Sequence, residues 1–119
     1  MFSKILQRIV EGTAGGIGAV LMGYDGIAVD QFFSPEEEVD LHMVVVEYSN
    51  VLKEIRMTAE VLSLGEMEEI SIRTDRFIII IRMLNDDYFV ALIISRDGNF
   101  GKGRYLLTRE GYNLLEALG

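Results

Sequence analysis

Phe2, Ile5, Leu6, Ile9 and Val10 recur at the i, i+3, i+4, i+7 spacing of one helical face. This predicts a short amphipathic helix stopped by Gly12. The apolar segments Ile17–Met22 and Ile27–Phe32 flank Gly23-Tyr24-Asp25-Gly26. Asp-Gly is a strong hairpin signal, because glycine supplies the positive φ that turns matching strand twist require. Ser34-Pro35-Glu36-Glu37 then reads as a capped helix start, with Ser34 as cap and Glu37 closing a capping box. The spacing predicts a long helix from about Pro35 to Leu64, ending before Gly65, or one that breaks near its start, since ~30 residues is long for a globular helix.

That helix carries the most regular pattern in the chain. Leu41, Val45, Tyr48, Leu52, Ile55, Ala59 and Leu62 alternate steps of four and three, a heptad-like stripe. Val44, Val51 and Val61 widen it, and Met43 and Met57 extend it to a third row. His42, Ser49 and Arg56 share a row that reads as facing solvent. Three strands follow, at Met67–Thr74, Phe77–Leu84 and Tyr88–Ser95. The last two are apolar on both faces, so layers must cover the sheet on both sides. Their connectors, Asp75-Arg76 and Asn85-Asp86-Asp87, are too short for crossover helices and require antiparallel pairing. A closing helix runs from Gly101 or Lys102 to Leu118, with Leu107, Gly111, Leu114, Leu115 and Leu118 on its apolar face. The order α-β-β-α-β-β-β-α predicts an α+β fold: a five-stranded antiparallel sheet with helices on both faces.

The chain has 119 residues, half of them hydrophobic, and shows no linker, repeat or low-complexity tract. One domain over residues 1–119 is expected, large enough to bury roughly two thirds of its unfolded surface. There is no cysteine, which removes thiol catalysis, zinc thiolate sites and iron–sulfur ligation. No apolar run approaches the ~20 residues of a membrane helix. Lys4, Gln7 and Arg8 interrupt the N-terminal apolar pattern, unlike a signal peptide. The cytoplasm is the expected location, without membrane insertion.

Charge sharpens the picture. The formal net charge is −8, and it is uneven: residues 25–69 hold 12 acids and 2 bases, while the remainder is net +2. An acidic chain is a poor match for nucleic acid, whose binding needs Lys and Arg to displace counterions. The acidic stretch covers the elements expected to build an interface and its rim. Such a rim would steer a partner with a basic docking surface.

Candidate chemistry is thin. Gly12-Thr13-Ala14-Gly15-Gly16-Ile17-Gly18 leaves a helix and opens a strand, the reverse of a dinucleotide fingerprint. Gly98-Asn99-Phe100-Gly101-Lys102-Gly103 has Arg96 and Gly103 where a phosphate loop needs glycine and a hydroxyl. His42 is the sole histidine, with no nucleophile motif beside it. Glu66, Glu68 and Glu69 lie on one strand, so neighbours point to opposite faces and read as edge protection. No catalytic residue, metal site or cofactor is expected. What remains is apolar surface on the long helix beside a semi-polar strand. It is either core or a contact surface; as a contact it involves Val44, Tyr48, Val51, Ile55, Ile70 and Ile72, in a homodimer joined through helix and strand edge.

The whole chain resembles the Roadblock family, named for a dynein light chain. The resemblance rests on the element order at this length and on Ile17-Gly18-Ala19-Val20-Leu21-Met22-Gly23-Tyr24-Asp25-Gly26-Ile27-Ala28-Val29. That segment is similar to the family's apolar strand, Asp-Gly turn and second strand. The Gly98–Leu118 segment is similar to its last helix in placement. The resemblance implies dimers that join long helices and edge strands into a ten-stranded sheet. It also implies a non-catalytic platform or regulator for small Ras-like GTPases, or a dynein light chain. The family has no catalytic motif to carry over.

Other classes compete. A ligand-sensing sandwich, or a profilin- or longin-like domain without a GTPase partner, shares parts of the element order. A sensor would need polar groups pointing into the core, or a buried pocket lined by Tyr88 or Tyr112. An enzyme would need converging carboxylates with raised pKa in a cleft.

Overall fold

The computed structural model describes residues 2–34 and 40–119, the side chains of Leu41 and His42 excepted. Eight elements follow one another: α1 (Phe2–Glu11), β1 (Gly16–Gly23), β2 (Ala28–Phe33), α2 (Leu41–Val61), β3 (Glu69–Arg73), β4 (Phe77–Met83), β5 (Tyr88–Ser95) and α3 (Phe100–Leu118). The strands form one sheet in the order β2-β1-β5-β4-β3, and every neighbouring pair is antiparallel. This is the α+β architecture that the pattern predicts.

The period of two along β4 and β5 builds two cores. Ile78 and Ile80 with Val90, Leu92 and Ile94 face α1 and α3, where they meet Leu6, Ile9, Leu106, Leu107 and Leu114. Ile79 and Ile81 with Phe89, Ala91 and Ile93 face the other way, toward Val45 and Leu52 of α2. Side chains alternating across a strand can satisfy both layers only if nearly every position is apolar, as it is here.

The first hairpin closes as expected. Gly26 takes φ +85°, and Asp25 Oδ1 accepts from the Ile27 N–H at 3.0 Å. The two glycine-rich stretches pack on each other rather than on a phosphate. Ser95 N–H donates to Gly15 O and Asn99 N–H to Ala14 O. Asn99 in turn caps α3 by accepting from Lys102 N–H.

The long helix departs from expectation at both ends. Pro35 to Val39, including Pro35 and Glu37 of the expected cap, lie outside the described residues. α2 starts at Leu41, and its cap is Asp40, whose side chain accepts from the Met43 N–H at 3.2 Å. Ser34 is no cap for it; its N–H instead donates to Ile17 O of β1. At the other end α2 stops at Val61 rather than Leu64. Ser63 adopts the left-handed conformation, φ 56°. Ser63 N–H reaches Glu60 O and Leu64 N–H reaches Ala59 O, the paired bonds of a Schellman closure. A serine holds the position where glycine is usual, which is why Gly65 gave the more visible stop signal.

Candidate interaction surface

The phase of α2 decides what it offers. Val45 and Leu52 are buried, and so is Ser49, which lies on the same row. Arg56 follows one turn later and is partly buried. The expectation that Ser49 and Arg56 face solvent is therefore overturned: both turn toward the sheet, while the side chain of His42 lies outside the described residues. Ser49 Oγ donates to Val46 O at 2.6 Å, so its hydroxyl is satisfied by its own helix. Arg56 lies over the Tyr24 ring, 4.5 Å from its centre, and donates to Asp86 O at 2.9 Å and Asp86 Oδ1 at 3.1 Å.

With a polar row turned inward, apolar residues are left outside. Val51 is 48% exposed and Ile55 40%. Met43, Met57, Val61, Leu62 and Leu64 are exposed as well. Val44 and Tyr48 are half-buried and lean on the second core, as do Ile70 and Ile72 of β3. The six contact candidates thus divide. Val51 and Ile55 stand in solvent, while Val44, Tyr48, Ile70 and Ile72 form the shoulder between that face and the core. Of the heptad-like stripe, Val45 and Leu52 are core, while Ile55 and Leu62 are exposed.

The packing of α2 is incomplete. α1 fully buries four apolar side chains in 10 residues, Ile5, Leu6, Ile9 and Val10. In α2, 21 residues long, the described core apolar side chains are Val45 and Leu52. Helices in proteins are held mostly by tertiary packing of an apolar face. Here much of that face is unused. A groove of about 540 Å3 opens on it, lined by Val51, Ile55, Ala59, Leu64 and Met67 among others. Beside it lies β3, whose outer edge has no strand partner among the described residues.

A second depression, about 530 Å3, lies on the other side of the α2–β3 loop. Tyr24, Arg56, Glu60, Glu66, Glu68 and Asp86 line it. Tyr24 is 7% exposed, and no hydrogen bond closes at its Oη. Burial pushes its phenol above the ordinary value of 10, and the Arg56 guanidinium opposes that rise.

The remaining charged chemistry is structural. Glu69 turns away from the cleft and meets Arg104 of α3, with Nε 2.7 Å from Oε2. Glu110 is buried between α1 and α3 with Arg8, Arg109 and Asn113 as donors. Tyr112 is exposed, and Tyr88 packs partly buried against the first core, so neither opens the buried pocket that a sensor reading asks for. Among the described residues, no three His, Cys, Asp or Glu converge to hold a metal ion. Nor is any described helix long and apolar enough to cross a membrane.

The fold has close relatives among solved structures. A Roadblock/LC7 domain from Streptomyces avermitilis superposes with a TM-score of 0.85 at 12% identity, covering 98% of this chain and 96% of that one. A structure of MglB with a tetrameric arrangement gives 0.84 at 13% identity, over 95% and 84% of the two chains. MglC from Myxococcus xanthus is 36% identical, with 96% of each chain covered and a TM-score of 0.70. The chain belongs to the Roadblock family. No family model and no curated protein sequence matches it. Within this Roadblock domain, the exposed α2 face and the outer edge of β3 have no intrachain partner among the described residues.

Proposed function

We propose that this Roadblock protein is a non-catalytic, cytoplasmic homodimeric module that binds and regulates a small Ras-like GTPase. The observation that carries the reading is the apolar outer face of α2, with Val51 and Ile55 in solvent, beside the unpaired edge of β3. Exposed contiguous apolar surface at an unpaired edge favours association over solvation. A two-fold axis would bring each α2 against its copy and continue the sheet through β3. Roadblock membership supports the regulatory role, and the tetrameric arrangement of one MglB structure supports self-association.

Light scattering at micromolar concentration tests the assembly: a dimer mass is expected, and a monomer overturns that part. GTP turnover and nucleotide release of a co-encoded Ras-like GTPase, with and without this protein, test the regulation. A change in either rate is expected; no change and no binding overturn it.

A further inference from the structure

The cleft between the end of α2, the α2–β3 loop and the β4–β5 turn has a chemistry that the dimer does not explain. It sets four carboxylates, Glu60, Glu66, Glu68 and Asp86, against one guanidinium, that of Arg56. Asp86 is taken up by Arg56. The other three carboxylates have no ion-pair partner among the described residues. Like charges gathered in one depression raise its affinity for a cation. They do not converge as metal ligands do, which favours a cation broad enough to meet several separated acceptors.

An independent observation comes from the wall of the same cleft. The Tyr24 hydroxyl is enclosed and closes no well-formed hydrogen bond, with the Arg56 guanidinium as the donor nearest to it, although buried polar groups are nearly always hydrogen-bonded. Its cover is Arg56, tied to an Asp86 carboxylate whose side chain is 96% exposed. Ion pairs so open to water are weakly held. A planar guanidinium has five N–H donors in a fixed fork, suited to bridge carboxylates and reach a phenol oxygen together.

We propose that this cleft binds the guanidinium of an arginine presented by a partner protein, with Glu60, Glu66 and Glu68 as acceptors and Tyr24 Oη as a further one. The proposal deepens the proposed function by stating what the partner must present, and it rests on that reading only for who the partner is.

The test titrates the full chain with N-acetyl-arginine amide, followed by amide NMR shifts. N-acetyl-citrulline amide, the neutral isostere, is the parallel probe. The arginine probe is expected to move resonances around Glu60–Glu68 and Asn85–Asp86, and the citrulline probe to leave them in place. Glu60→Gln/Glu66→Gln should weaken binding on the order of tenfold, the usual worth of a charged hydrogen bond. Tyr24→Phe should weaken it by a smaller factor. Asp97→Asn, at the opposite end of β5, should bind as wild type does. Retained spectral dispersion shows that each variant is folded. Shifts scattered over all acidic surfaces, equal response to citrulline, or undiminished binding by the double variant overturn the proposal. GTPase turnover does not enter this titration. A silent cleft with an active GTPase effect removes the cleft alone; a working cleft without that effect removes the GTPase alone.

Discussion

Arg8 of α1 places Nη2 2.8 Å from Oε1 of Glu110 on α3, tying together two helices 102 residues apart in the chain. Glu110 also accepts from Arg109 Nε at 3.2 Å and from Asn113 Nδ2 at 3.1 Å. Burial alone would raise its pKa. The donors from Arg8, Asn113 and Arg109 outweigh burial and hold the carboxyl below its ordinary 4.5. A depressed folded pKa contributes stability that is fully present above the ordinary carboxylate value and is lost as pH falls through the folded one. Glu110→Gln is expected to cost about 1–3 kcal/mol at neutral pH, because buried donors and acceptors lose a charged partner. Urea midpoints of the two proteins should converge as pH is lowered below 4.5. A constant gap across that range would remove the assignment.

Val51 and Ile55 separate assembly from folding. Because they are 48% and 40% exposed, Val51→Glu and Ile55→Glu should change the monomer's stability by about 0.5 kcal/mol or less. Both variants are expected to run at monomer mass with an unchanged far-UV circular dichroism spectrum. Leu52→Glu, at a position 2% exposed, should instead unfold the chain, since it buries an unpaired charge. A dimer that persists through both surface variants places the contact elsewhere.

Arg56→Ala removes the cation over the Tyr24 ring and the two hydrogen bonds to Asp86. The expected loss is about 0.5–1 kcal/mol, the usual worth of an exposed cation–π contact. The Tyr24 phenol should then titrate still higher, because Arg56 is what lowers it against burial. A raised folded pKa stabilises fully below the unfolded value of 10 and is lost as pH rises through the folded one. Phenolate absorbance at alkaline pH, with Tyr24→Phe as the reference for the other tyrosines, reads the shift.

The loop after α2 offers a pair of opposite effects. Ser63 sits at φ 56°, a conformation that costs a residue with a Cβ roughly 1–2 kcal/mol. Ser63→Gly is expected to raise stability by up to about 1 kcal/mol, the remainder being lost to unfolded-chain entropy. Gly65 has φ +93° and open space where a Cβ would go, so Gly65→Ala should cost about 1 kcal/mol from backbone strain alone. Thermal melts compare the two; matching signs would contradict the assigned backbone.

The sequence made the sheet legible because β4 and β5 have a single solution: Ile78–Ile81 and Phe89–Ile94 are apolar on both sides and need two covering layers. The phase of α2 was not legible. A polar residue on an amphipathic helix reads as outward, but Ser49 is silenced by Val46 O and Arg56 by the Tyr24 ring and Asp86. Those partners lie one turn away in the helix or far away in the chain, so their role is invisible in a heptad count. The cleft was missed for a related reason. Glu60, Glu66 and Glu68 come together with Tyr24 and Asp86 only when the α2–β3 loop is closed by Ser63, and no spacing rule announces a left-handed serine.

Among the described residues the strand order ends in β2 on one side and β3 on the other, and these margins are unlike. β1 and β2 lose register between Leu21 and Met22, and in β2 the Asp30 side chain folds back on the Gln31 N–H. Such irregular, charged margins discourage further strand addition. Two-fold pairing through β3 consumes the same margin on both copies at once. The joined sheet of that proposed dimer would end in β2 at either side, with no β3 edge left for a third chain. In the dimer we propose, the apolar strands would then be sealed within a pair, and growth of the sheet by further β3 pairing would stop there.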